Sequence, residues 1–82
     1  MDTISIVRTR SLQLCNERDI AINRLASLSA LPPFSINNIL YGKSKNPTLL
    51  TIKMICDGLD TKIAEFFSTK EFDALEQEIK QP

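Results

Sequence analysis

Apolar residues recur along most of the chain at the three- and four-residue spacing of amphipathic α-helices. Near the N-terminus, Val7, Leu14 and Cys15, with the small Ser11 between them, share one face. They predict a first helix over residues 3–17. No segment has a convincing strand pattern. The sequence therefore predicts an all-α fold, a compact bundle of five helices with a possible short sixth helix at the C-terminus.

A proline pair separates the second predicted helix from the third. The second is short and stops near Ala30, because Leu31 precedes a proline and is disfavoured in the helical region. Pro33 suits the first turn of the third helix, where its missing N–H costs nothing, and Gly42 is expected to end that helix. The inward positions of the two helices are Ile22, Leu25, Ala26 and Ser29, followed by Ile36, Ile39 and Leu40.

Capping residues mark the starts of three further helices. Thr48 is expected to cap the fourth helix, which Gly58 closes, and Thr61 to cap the fifth. The segment from Ser68 to Glu71 matches a capping box for a sixth. The apolar stripe of this last segment either folds back on the bundle or forms a dimer contact. The inward residues of the three helices are Ile52, Ile55, Cys56 and Leu59, then Ile63, Phe66 and Phe67, then Phe72, Leu75 and Ile79.

Composition narrows the class of protein. With 82 residues, 43% hydrophobic and 24% charged, the chain is expected to be one soluble domain. It has no charged segment leading into an apolar run and no run long enough to span a bilayer, so we expect a cytoplasmic protein. Cys15 and Cys56 are interpreted as reduced core thiols. Because the chain has no His, no Gly-rich phosphate loop and no carboxylate pair at an implied cleft, we expect no metal, no cofactor and no enzymatic activity.

Charge is divided unequally although the net charge is zero. Residues 1–48 carry six basic and three acidic side chains, a balance of +3, whereas residues 49–82 carry four basic and seven acidic ones, a balance of −3. A neutral chain argues mildly against nucleic acid, because neutralisation of phosphates drives most non-specific DNA affinity. The positive half, however, contains the two short helices and the proline turn between them.

The outward positions of the third helix carry amides, a hydroxyl and aromatic rings, and no carboxylate. Asn can make paired hydrogen bonds to adenine, Ser can donate or accept, and an apolar group can contact a thymine methyl. The loop that follows, from Gly42 to Asn46, adds two ammonium groups and several backbone N–H groups suited to the phosphate backbone. The outward residues of the helix are Phe34, Ser35, Asn37, Asn38 and Tyr41.

From about Val7 to Phe67 the chain resembles the Cro/C1-type helix-turn-helix family, also called the XRE family, of phage repressors and bacterial regulators. The residues that carry the resemblance are Leu25-Ala26, Ile36, Ile39, Gly42-Lys43, Asn46-Pro47 and the run from Ile52 to Phe67. It implies a lambda-repressor-like bundle, with a DNA-binding domain over residues 1–67 and a C-terminal extension over 68–82.

The same resemblance implies a partner and a set of contact sites. The partner is double-stranded DNA, and the helix around residues 33–41 binds in its major groove. The protein would be a transcriptional regulator that acts as a repressor and binds two half-sites as a homodimer. The base-facing sites are Pro33, Phe34, Asn37 and Asn38. The phosphate-facing sites are Ile22, Tyr41, Lys43, Ser44, Lys45 and Asn46.

Four positions depart from the family pattern. Ala30 stands where glycine is usual, and a left-handed conformation there would cost on the order of 1 kcal/mol. Ala21 and Ile22 replace a polar cap and a phosphate-contacting side chain, so only backbone N–H groups remain. Pro33 and Phe34 replace residues that often hydrogen-bond to bases. Where some relatives pair an Arg with a Glu, this chain has Cys15 and Leu40, so no buried charge is stranded.

Two other interpretations of these residues stay open. Asn37 and Asn38 could be solvated surface amides, and Phe34 and Tyr41 could belong to the rim of the core. The alternative function is a protein-interaction module that keeps the helix-turn-helix fold but binds a partner through Phe34 and Leu31. A sharp loss of binding at raised salt would distinguish a DNA-binding protein from such a module.

Overall fold

The computed structural model describes residues 2–42 and 44–79, and within these ranges the regular structure is entirely α-helical. The predicted all-α class is confirmed, and the first helix has the predicted bounds. No strand occurs in the described part of the chain. The helices are α1 (Thr3–Glu17), α2 (Ile22–Leu28), α3 (Pro33–Leu40), α4 (Leu49–Gly58), α5 (Ile63–Phe67) and α6 (Lys70–Asp73).

Side-chain N-caps start three of the helices. Asp2 accepts a hydrogen bond from the Ser5 N–H at 2.9 Å to start α1. Hydrogen bonds from the side chain and the backbone of Ser5 lower the pKa of the Asp2 carboxyl. Thr48 Oγ1 accepts from the Thr51 N–H at 3.1 Å, which confirms the predicted start of α4. Thr69 caps α6 in the same way. Each cap satisfies a backbone donor that the first turn leaves without an intrahelical partner.

Two predicted caps are wrong. Lys62, not Thr61, is the N-cap of α5, because Thr61 is buried and its hydroxyl donates to the Leu59 carbonyl at 3.3 Å. At α6 the cap is Thr69 rather than Ser68, so Glu71 is the second helical residue and not the third that a capping box requires.

Three helices end in Schellman turns whose left-handed residue is not glycine. Asp19, Ala30 and Asp60 follow α1, α2 and α4 with φ of 54°, 55° and 53°. After α2, the Leu31 N–H donates to the Ala26 carbonyl at 3.0 Å and the Ala30 N–H to Ser27 at 3.2 Å, and the other two turns have the same pair of bonds. The left-handed conformation considered for Ala30 is therefore confirmed.

The two glycines predicted to end helices do lie at helix ends: Gly42 follows the C-cap of α3, and α4 ends at Gly58. Neither has a positive φ, so neither is the left-handed glycine that often follows a helix. Gly58 is the last residue of α4, where the end of α2 crosses it: a Cβ there would meet the Ser29 hydroxyl and lie 3.0 Å from the Ser29 nitrogen. A Cβ on Gly42 would lie 2.8 Å from both the Cα and the carbonyl oxygen of Asn38. Both positions are glycine because backbone passes too close for a side chain.

A single core joins the helices. Cys15 and Leu40, the pair that replaces a charged couple in some relatives, are both 3% exposed within it. Burial raises the pKa of the Cys15 and Cys56 thiols, and both are free, as predicted. The buried apolar cluster consists of Ile4, Val7, Leu14, Cys15, Leu25, Ala26, Ile36, Ile39, Leu40, Ile55, Cys56, Leu59 and Phe66.

The C-terminal segment folds back on this bundle. The ring of Phe72 in α6 lies edge-on to Phe67 with centroids 4.8 Å apart, and Phe67 lies edge-on to buried Phe66 at 4.9 Å. Farther along, Ile79 is 74% exposed, so the predicted stripe packs at its start and not at its end. The division of the chain at residue 67 stays a prediction. Across residues 2–42 and 44–79, no helix combines the length and apolar character that crossing a bilayer requires.

Candidate nucleic-acid interface

The third helix presents two different faces. Ile36, Ile39 and Leu40 are buried, at 0%, 5% and 3% exposure, and fix α3 against the core. On the opposite side Phe34 is 78% exposed and Tyr41, the C-cap, is 64% exposed. Inward residues therefore hold the helix in place, and its opposite face is open to solvent.

Polar groups on the outward face differ in how they are engaged. Asn37 is exposed, and its Nδ2 donates to the Pro33 carbonyl at 2.9 Å, which orients the amide along the helix. Asn38 is half-buried and lies under the turn that follows α3, where its carbonyl accepts from the Gly42 N–H at 3.1 Å and from the Ser44 N–H at 3.4 Å. Pro33, at the first position of α3, is exposed.

An arginine from the first helix ties this turn to the rest of the protein. Arg8 Nε donates to the Ile39 carbonyl at 2.7 Å. Its Nη2 donates to the carbonyls of Ser44 at 2.8 Å and Gly42 at 3.2 Å. A guanidinium at a helix C-terminus satisfies orphan carbonyls and opposes the negative end of the helix dipole. Arg8 therefore closes the end of α3 and holds the loop after it.

A second arginine of α1 is engaged in the same manner at another helix. Arg10 Nε donates to the Phe66 carbonyl at 2.9 Å and its Nη2 to the Glu65 carbonyl at 3.0 Å, at the end of α5. Arg8 and Arg10 are two of the six basic residues of residues 1–48, the half of the chain that contains α2 and α3. Both guanidinium groups bind main-chain carbonyls of the protein itself.

Sequence reasoning missed the roles of Arg8 and Arg10, although a weak indication was present. Arg8 lies four residues after Ile4 and three before Ser11, so it occupies the inward stripe of α1. A charged residue on such a stripe needs a buried partner or a route to the surface. Arg8 has both, since its carbonyl partners lie at the edge of the core.

Comparison with known proteins agrees with this geometry. The family model described as the Cro/C1-type HTH DNA-binding domain matches residues 12–71, which is most of the chain. This protein belongs to the Cro/C1-type helix-turn-helix family. A crystal structure of the prophage Lp1 protein 11 is similar to it, with a TM-score of 0.78 and 29% identity over 92% of this chain and 100% of that one. No curated protein sequence matches the chain.

In Cro/C1-type terms, α2 and α3 are the helix-turn-helix and the Schellman turn at Ala30 joins them. Leu25 and Ala26 in α2 are 0% and 1% exposed, which confirms their predicted inward positions. The N-cap of α2, Ala21, makes no side-chain hydrogen bond. Ile22 is half-buried against the core, so this candidate phosphate site has only its backbone N–H to offer.

The loop of the Cro/C1-type unit brings most of the other candidate phosphate sites together. Ser44 is half-buried, with its carbonyl bound to Arg8, whereas Lys45 and Asn46 are exposed. Lys43 lies outside the described residues. Lys45 and Asn46 border an open groove that the carboxylates of Asp2 and Glu78 also line. Beside this groove, Thr3 Oγ1 donates to Glu78 Oε1 at 2.8 Å, which links the C-terminal segment to α1.

Proposed function

We propose that this Cro/C1-type protein is a sequence-specific double-stranded DNA-binding transcriptional regulator that represses by occupying an operator. The observation that carries the proposal is the outward face of α3. Phe34, Asn37 and Tyr41 are exposed on this face, which carries no carboxylate, and the loop that follows contains exposed Lys45. A helix of this size fits the major groove of B-DNA.

The chemistry of the face suits direct readout of bases. The Asn37 and Asn38 carboxamides have the paired donor and acceptor that match adenine N7 and N6. Pro33 and Phe34 bring apolar surface, suited to thymine methyl groups. The proposed base-facing set thus favours A·T pairs at the positions that α3 reads, with fewer hydrogen bonds than a fully polar helix would make.

Phosphate contacts would come from the two ends of the helix-turn-helix. The backbone N–H of Ile22 at the start of α2 supplies one end. Tyr41 and the loop residues Lys43, Ser44, Lys45 and Asn46 supply the other. These contacts carry little sequence information, but they set the register of α3 on the duplex.

We propose that a homodimer reads two half-sites, because one short helix covers too few base pairs to specify an operator alone. Half-sites one helical turn apart, about 34 Å, would match a two-fold symmetric dimer. The experiment is selection of bound duplexes from a randomised pool, followed by titration of the selected duplex at several salt concentrations. A two-half-site sequence that binds with a steep loss of affinity at raised salt supports the proposal.

Weak, featureless binding at low salt would contradict the proposal. It would favour the other candidate function, a helix-turn-helix protein that binds a protein partner through the exposed ring of Phe34. That ring is 78% exposed on a neutral chain, which is the specific observation in favour of this alternative.

Replacement of one amide tests the base-reading face. Asn37→Ala should weaken binding to the selected site by about 1–3 kcal/mol while leaving non-specific binding almost unchanged. Asn16→Ala, which removes an exposed amide from α1, is the matched control and should bind as the unaltered protein does. Equal losses on the selected and on random duplexes would remove Asn37 from the base readers.

Replacement of one ammonium group tests the loop. Lys45→Ala should weaken every duplex to a similar degree and reduce the slope of log affinity against log salt by about one unit. The control is Lys62→Ala, an exposed lysine at the start of α5. An unchanged slope for Lys45→Ala, or the same change for both variants, would mean that Lys45 contacts no phosphate.

A further inference from the structure

The end of α3 needs a partner from elsewhere in the protein. The Tyr41 and Gly42 N–H groups return to the carbonyls of Asn37 and Asn38, which closes the last helical bonds. The carbonyl of Ile39 is one step farther along, and its bond comes from Arg8 Nε at 2.7 Å. This is the shortest of the three Arg8 bonds, and a charge-assisted bond is stronger than a neutral one.

The same guanidinium reaches across the loop. Its Nη2 binds the carbonyls of Gly42 and Ser44, on either side of position 43. One rigid planar group therefore fixes the carbonyls of Ile39, Gly42 and Ser44 relative to α1. The guanidinium fork has a set geometry, so the spacing of these carbonyls is set with it.

Bonds within the loop are weak by comparison. The Ser44 N–H lies 3.4 Å from the Asn38 carbonyl, at the outer limit for a hydrogen bond. The Ser44 carbonyl, one residue before Lys45, accepts the shorter bond of 2.8 Å from Arg8. Arg8 therefore constrains the main chain from which Lys45 leaves the loop.

We infer that Arg8 is a positioning residue for DNA binding: through Gly42 and Ser44 it holds the loop that carries Lys45 at a fixed angle to α3 before DNA arrives. This inference rests on the proposed function. Arg8 acts through the loop, with two of its three guanidinium nitrogens already committed to carbonyls. Ordering the loop in the free protein removes an entropic cost that binding would otherwise carry.

Arg10 offers a matched control within the same helix. It binds two consecutive carbonyls at the end of α5, on a helix that carries none of the proposed contact sites. Arg8→Gln and Arg10→Gln each remove one charge and one helix-end contact. A purely structural role for Arg8 would make the two variants equivalent.

The experiment measures three properties of both variants: thermal unfolding, amide hydrogen exchange in the free protein, and duplex affinity over a range of salt. We expect similar losses of thermal stability. In Arg8→Gln alone, the Gly42 and Ser44 amides should exchange more than about fivefold faster, and affinity for all duplexes should fall about tenfold. The Lys45→Ala replacement should then cost less in the Arg8→Gln background than in the unaltered protein. Unchanged affinity for Arg8→Gln, or an undiminished effect of Lys45→Ala, would overturn the inference.

Arg8→Lys separates positioning from charge. Lysine keeps the positive charge but lacks the planar fork, so it should restore neither the slow exchange of the loop nor the affinity. Full recovery with lysine would show that Arg8 acts as a charge, and the inference would be wrong. If the unaltered protein binds no duplex, the proposed function fails by itself. Amide exchange at Gly42 and Ser44 then still decides whether Arg8 orders the loop. Equal exchange rates in Arg8→Gln and in the unaltered protein would show that it does not.

Discussion

Ala30 adopts a backbone conformation that glycine tolerates better, and Ala30→Gly should therefore stabilise the protein. Its φ of 55° places the methyl group against the following carbonyl, at a cost of about 1–2 kcal/mol. Glycine removes that cost but makes the unfolded chain more flexible, which gives back about 0.4–1 kcal/mol. The Ala30 side chain is exposed, so little burial is lost. The net gain should be about 0.5–1 kcal/mol, or a rise in Tm of about 2–8 °C for a chain of this size.

The matched control is the same chemical change at a helical position. Ala64 is exposed in α5, where glycine should destabilise by up to about 1 kcal/mol through loss of helix propensity. Thermal and urea unfolding of both variants, followed by circular dichroism, measure the two effects. Opposite signs are expected because the backbone conformation, and not the loss of a methyl group, decides the outcome. A lowered Tm for Ala30→Gly would refute the reasoning.

Two further predictions concern the helix crossing and the first cap. Gly58→Ala should lower the free energy of unfolding by about 1–2 kcal/mol, since the new Cβ would lie 3.0 Å from the Ser29 nitrogen; chemical denaturation measures it, and a more stable variant would contradict the close approach. Asp2 has a lowered pKa because of its Ser5 hydrogen bonds, so its stabilising contribution is present above its ordinary pKa and is lost as pH falls through the lowered value. Asp2→Asn should keep a cap and make the free energy of unfolding depend less on pH in the acid range. Parallel curves of unfolding free energy against pH for the variant and the unaltered protein would contradict this prediction.

Local patterns predicted most of the fold. Helical spacing located α1 to α5, and the outward face of α3 followed because inward Ile36 and Ile39 leave Phe34 and Asn37 outward. One cap assignment failed where Ser and Thr neighbours compete: Ser68 and Thr69 look alike in sequence, and only the backbone conformation decides which one caps. That conformation depends on tertiary packing, which a few neighbouring residues in the sequence do not determine. The other cap assignment failed because Thr61 is buried and Lys62 takes the cap position.

The roles of Arg8 and Arg10 were beyond sequence reasoning for a different reason. Their partners are backbone carbonyls, which every residue has, so the partner leaves no mark in the sequence. The same holds for Gly58, whose requirement comes from the path of another helix over it. Side-chain chemistry could therefore be predicted along α3, while the contacts that set its position could not.

The bonds made by α1 also have a consequence for the order of folding. Arg8 joins residues 31 to 36 positions later in the chain, and Arg10 joins residues 55 and 56 positions later. Contacts of such separation form after local ones, because a longer segment must be closed first. During synthesis α1 is made first but waits for α3 and then for α5. Arg8 is already made when the loop after α3 emerges, but its bonds close segments of 31–36 residues, so the helix-turn-helix should be helical before it is correctly held.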